Sequence, residues 1–171
     1  MAGFSSCGSD DDDYSANDLV GTWKSTKSSL RVTTSNGKAT ELLNALLITF
    51  DNEDESIYTF NENATFEDKA YVGDPDPDTG EYRVSGNKLY FKYANETVEK
   101  SSTIKSLSNL SLDLEYSGKL DESLESYVDD MISSEAVESL RVALQAVGVD
   151  ITTVTVKNVK YTSTYTKVTA Q

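Results

Sequence analysis

Three carboxylates stand at alternate positions in Asp74-Pro75-Asp76-Pro77-Asp78, and Thr79-Gly80-Glu81 follows. A calcium loop also supplies oxygen ligands at every second residue, which makes Asp74, Asp76 and Asp78 the metal candidates of this chain. The match is imperfect: glycine comes one place late and two prolines stiffen the run, so an acidic surface loop is the plainer reading. Asp51, Glu53, Asp54 and Glu55 form a second acidic cluster with the same plain reading. Histidine is absent, which removes the commonest general base and the commonest metal ligand together. Cys7 is the single cysteine, so neither a Cys-His mechanism nor an intramolecular disulfide is open to the chain. Paired carboxylates can act as acid and base in glycoside hydrolysis, but nothing in the spacing brings a particular pair together. The expectation is no enzyme, no resident metal and no cofactor.

Aromatic residues offer a different chemistry. Tyr58, Phe60, Tyr82, Phe91 and Tyr93 fall on predicted strands, and Trp23 lies in the first of them. Around a cavity, ring faces and hydroxyls suit an apolar or sugar-like ligand; packed on one another they are simply core. These six are the candidate ligand contacts, and the sequence leaves both readings open.

The elements that must position them repeat mostly with a period of two. Leu19-Val20-Gly21-Thr22-Trp23-Lys24 reads as the first strand. Ile57-Tyr58-Thr59-Phe60 and Thr65-Phe66 flank a turn at Asn61-Glu62-Asn63-Ala64. Strands on either side of Ser85-Gly86-Asn87 make a second hairpin. Leu110, Leu112, Leu114 and Tyr116 alternate with polar residues, so one face is buried and one wet. From Ile151 to Val168 the apolar phase changes, which predicts a bulge near Lys157-Asn158. Residues 39–50 fit either a helix or a strand. Between 121 and 147, Leu124, Tyr127, Val128, Met131, Ala136, Leu140, Leu144 and Val147 recur at helical spacing, with a break predicted at Ser133-Ser134. The sum is a mainly β domain of eight to ten strands, an up-and-down barrel or a β-sandwich, with a helical insert at 121–147.

Length allows a single domain with a real core, and the net charge of −14 is concentrated in two places. Residues 1–18 carry five acids and no base, and the helical insert is strongly acidic, while the rest is nearly balanced. Nucleic acid is excluded as a partner, because its binders cluster Lys and Arg. After Cys7 no apolar run approaches the length of a membrane span. Residues 1–18 therefore read as an acidic tether and residues 19–171 as one folded domain.

Ala2-Gly3-Phe4-Ser5-Ser6-Cys7, followed by Gly8-Ser9 and Asp10 to Asp13, resembles the processing site and surface-export signal of Bacteroidetes lipoproteins. The resemblance implies an acylated Cys7, a protein anchored to the outer membrane by lipid alone, and display at the cell surface or in the periplasm. Gly21-Thr22-Trp23 resembles the opening of lipocalin-like domains. The pieces at 58–66, 79–89 and 104–112 are similar to later parts of the lipocalin-like domains found in such lipoproteins. That family implies an up-and-down barrel, a tryptophan plug at one end, and a small apolar or amphipathic ligand. The alternative is a barrel filled by its own side chains, acting as an accessory module of an envelope assembly through the helical insert or an exposed face.

Overall fold

The computed structural model describes residues 13–48 and 56–169. A one-turn helix α1 (Ala16–Leu19) leads into β1 (Gly21–Thr34) and α2 (Gly37–Ile48). Five shorter strands follow: β2 (Ile57–Phe60), β3 (Thr65–Lys69), β4 (Asp78–Ser85), β5 (Lys88–Tyr93) and β6 (Lys100–Leu107). Next come β7 (Ser111–Ser123), α3 (Leu124–Met131), α4 (Ser134–Ala146), a 3₁₀ turn at Ile151–Thr153 and β8 (Thr155–Lys167). Each strand pairs with the next, antiparallel throughout, and β8 returns to β1, closing an eight-stranded up-and-down barrel. Closure removes every sheet edge from the barrel itself, which a sandwich would not do. Ser85-Gly86-Asn87 turns the β4–β5 hairpin, with Gly86 at φ 57° as a tight turn requires.

Three strands outrun the rest. Among the described residues β2 pairs with β1 from Gly21 to Lys24, whereas β8 follows β1 from Trp23 to Thr34 and β7 from Ser111 to Ser123. The far halves of β1, β8 and β7 thus project past the rim as a ribbon. Its register carries a bulge in β8 at Lys157, where Thr33 faces Asn158 but Thr34 faces Val156. The extra residue shifts the inward phase between Val156 and Val159, as the change of apolar phase in the sequence demands.

The ribbon's inward face is covered by helices. Val32 and Val156 meet Ala39 and Leu43 of α2, Leu124 and Val128 of α3, and Val137, Leu140 and Leu144 of α4 in one buried cluster. The barrel proper holds a separate cluster built around Trp23, Phe60, Phe66, Phe91 and Leu112. Residues 39–50, open to two readings, form helix as far as Ile48. Asn36 starts it by accepting from the N–H groups of Lys38 and Ala39, at 3.0 and 3.2 Å. The insert is shorter at its front than expected: β7 continues through Asp121 and Glu122, and Ser123 caps α3 by accepting from Ser126 N–H. The predicted break is present, with Ser133 capping α4 through the N–H of Ala136. Nor does order begin only at residue 19. α1 is held by a reciprocal cap in which Ser15 donates to Asp18 at 2.8 Å, and Tyr14, Ala16 and Leu19 pack on the barrel core.

Candidate ligand-binding site

The barrel is filled at the end nearest α1. Trp23 is fully buried and donates its indole N–H to the carbonyl of Leu19 at 2.6 Å, tying helix to barrel floor. Tyr82 donates toward the carbonyls of Ala16 and Asn61. Above them Phe60 lies edge-on to Tyr82 at 4.8 Å, and Tyr58 stacks on Phe60 at 5.8 Å and on Phe91 at 5.5 Å. Phe66, absent from the sequence candidates, sits among them edge-on to Phe91 and Tyr93. Trp23, Phe60, Tyr82 and Phe91 therefore belong to one buried cluster. Of the six aromatic candidates, Tyr58 lines one of the two spaces described below.

A polar layer follows. Tyr93 donates its hydroxyl to Asp68 at 2.7 Å, and the Tyr58 hydroxyl lies 3.5 Å from that of Tyr93. Burial pushes the Tyr58 and Tyr93 phenols well up and takes Tyr165 up to about 12, so all three stay protonated donors. Burial likewise raises the Asp68 carboxyl, and the phenol hydrogen bond opposes that rise. Ser25, Ser28 and Ser163 complete the layer as buried hydroxyls on β1 and β8.

Two adjoining spaces open above this layer and share Tyr161. The smaller, ≈ 380 Å³, is lined by Ser56, Tyr58, Asp68, Ala70, Asp74, Asp76, Asp78, Tyr161 and Tyr165. It gathers the three loop aspartates at the barrel mouth without converging them on a point. Asp74 is committed locally, accepting from the N–H groups of Ala70 and Asp76 at 3.1 Å each. Among the described residues no three side chains of His, Cys, Asp or Glu are grouped to hold a metal ion. Asp51, Glu53, Asp54 and Glu55, like Cys7, lie outside the described residues.

The larger space is a groove of ≈ 740 Å³. Its floor is the inward face of the ribbon, where Leu30, Tyr161 and Tyr116 lie abreast across three strands, with Val159 beside them. Gly118 makes room here: a side chain at that position would strike the Tyr116 hydroxyl, so the phenol can lie along the sheet. Leu47 and Ile48 of α2 and Tyr127, Met131 and Ile132 from the end of α3 form the opposite wall. Five consecutive β1 residues, Lys27 to Arg31, line the groove whichever way their side chains alternate. The groove therefore follows β1 beyond the stretch that pairs with β2. Just beyond it, the Asn44 side chain takes the place of a strand partner, accepting from Val32 N–H at 2.9 Å and donating to Val32 C=O at 2.8 Å. Ile48, Tyr116, Met131 and Tyr161 are all exposed in it. Tyr127 and Met131 were visible in the sequence as stripe positions, and Tyr116, Val159 and Tyr161 as strand positions, but nothing there told that helix and ribbon would stand apart.

No protein with a curated description matches the chain. The family model described as a lipocalin-like domain matches residues 19–114, more than half of the 171 residues. That span covers β1 to β6 and the first residues of β7, and leaves α3, α4 and β8 outside it. The chain belongs to the lipocalin-like domain family.

Proposed function

We propose that this protein is a non-enzymatic binding module which holds a small apolar or amphipathic molecule at the barrel mouth, displayed from the outer membrane by lipid on Cys7. A lipocalin-like barrel fits ligand binding in general. The observation that carries the finer reading is the ≈ 740 Å³ groove, whose size suits one small molecule and whose floor and roof are apolar or aromatic. Exposed Ile48, Tyr116, Met131 and Tyr161 stand together there, and contiguous exposed apolar surface on a water-facing domain calls for a partner. The anchor rests on the residues around Cys7 alone, and display at the cell surface rather than in the periplasm rests on the acidic run after it.

The filled barrel favours a second reading, in which the domain is an accessory module of an envelope assembly acting through α3 and α4. Native against denaturing mass spectrometry on protein from its own producer separates the two. Excess mass lost on denaturation is expected, together with its disappearance in Met131→Trp, a variant that crowds the groove from an exposed helix end. Repeated gentle preparations with no excess mass would transfer the assignment to the accessory module.

A further inference from the structure

The described chain enters the barrel at its filled end. Tyr14 N–H donates to the Gly86 carbonyl at 3.3 Å, Trp23 to that of Leu19 at 2.6 Å and Tyr82 to that of Ala16 at 3.2 Å, so α1 is fastened there. Cys7 lies six residues before Asp13, a stretch of chain that spans at most about 20 Å. The same end carries Leu110 in the β6–β7 turn, 60 % exposed, and Val168 just after β8, 50 % exposed. Lys167 N–H donates to the Leu110 carbonyl at 2.9 Å, which sets the two segments side by side. Apolar residues scattered singly over a surface need no partner, but a pair left to water at one spot does. Charge also separates the two ends of the molecule. The helical insert at 121–147 holds seven acids and one base, and the barrel mouth adds Asp74, Asp76 and Asp78. Around the closed end Asp13, Asp18 and Glu62 stand against Lys88 and Lys167.

Resting on the proposed lipid anchor at Cys7, we propose that the closed end of the barrel is a membrane-docking face, seated on the bilayer surface through Leu110 and Val168. The short tether keeps this end within reach of the bilayer, and the surface itself then decides which face lies down. The aliphatic pair enters the headgroup boundary, where apolar side chains leave water without crossing the membrane. An anionic bilayer repels the acidic helical end more strongly than the nearly balanced closed end, which turns the mouth toward water. Along β1 the groove runs from Lys27 to Arg31, about 13–26 Å from Trp23 in the direction away from the docked end. A ligand of the groove therefore arrives from the aqueous phase and not by moving sideways out of the bilayer.

Cys7 is the single cysteine, so the anchor can be supplied chemically. The full chain is coupled through it to maleimide-phosphatidylethanolamine in nanodiscs of phosphatidylcholine and phosphatidylglycerol, and broadening by a headgroup nitroxide lipid is read residue by residue by NMR. The amide signals of Glu62, Asn63, Leu110 and Val168 should lose at least threefold more intensity than those of Val98, Met131 and Val142. Leu110→Asp with Val168→Asp, both at exposed positions, should bring the two groups level while the protein stays coupled. Unchanged chemical shifts away from the two substitutions separate that result from unfolding. Equal broadening at both ends of the wild type, stronger broadening at the mouth, or survival of the wild-type pattern in the double variant overturns the docking face. Such a result leaves attachment at Cys7 untouched, because the anchor in this experiment is synthetic; the attachment itself stands or falls with the fractionation of Cys7→Ala in a full-length precursor.

Discussion

Asp68 accepts from the Tyr93 phenol, is flanked by two further aspartates and is partly withdrawn from water, so its charge is disfavoured. A carboxyl raised above its unfolded value binds a proton more readily in the native state. The native state therefore loses stability as pH rises from the ordinary carboxylate range through the raised value, and at neutral pH the full penalty is present. Asp68→Asn keeps an oxygen for the Tyr93 hydroxyl and removes the charge. Its urea midpoint should exceed the wild type's at pH 7, and the difference should shrink toward pH 4; a lower midpoint at pH 7 would show that the charge itself is needed. At this scale the sequence was partly legible. Tyr58, Phe60, Tyr82, Phe91 and Tyr93 were recognisable as strand residues, yet which rings meet is decided by register between strands far apart in sequence. The same holds for Asp74, Asp76 and Asp78, whose alternate spacing is real but whose loop turns Asp74 onto its own backbone instead of toward the others.

At the level of elements, α2 shows how local and distant signals compete. Leu42-Leu43 and Leu46-Leu47 suit a helix, and Leu47-Ile48-Thr49-Phe50 suits a strand. The helix prevails to Ile48 because Asn36 caps it and because Leu43 enters the second core while Asn44, on the same turn, docks onto β1. Asn44→Ala removes both groups that satisfy the Val32 backbone, at a cost of about 1–3 kcal/mol. The loss should appear in chemical denaturation and as faster hydrogen exchange at the Val32 amide; unchanged exchange there would show that the helix does not seal this edge. The bulge at Lys157 was foreseeable, since a shift of apolar phase within one strand has few other causes. Tyr127 and Met131 were legible as helical but not as groove wall. An amphipathic stripe declares that it must be covered, not how completely.

The whole molecule consists of a filled barrel and a helix-covered ribbon joined by three long strands, with the groove where they meet. No helix among the described residues is long and apolar enough to cross a membrane. The proposed attachment through Cys7 makes a simple prediction: in a full-length precursor, Cys7→Ala should move the protein from the membrane to the soluble fraction, and unchanged fractionation would sink the anchor. The up-and-down barrel was legible from the succession of short strands and tight turns. That β8 would run along β1 and β7 for their full lengths was not, because pairing between distant segments leaves no local mark. It has a consequence in time. β8 is the stave that closes the barrel, and its partner positions on β1 lie as far as 144 residues upstream, where Trp23 faces Lys167. During synthesis β1 must wait for nearly all the rest of the barrel before its neighbour exists, and contacts of such separation form slowly. A chain that cannot close early stays threadable, which is the condition in which a polypeptide can be passed through a narrow translocation channel before it folds.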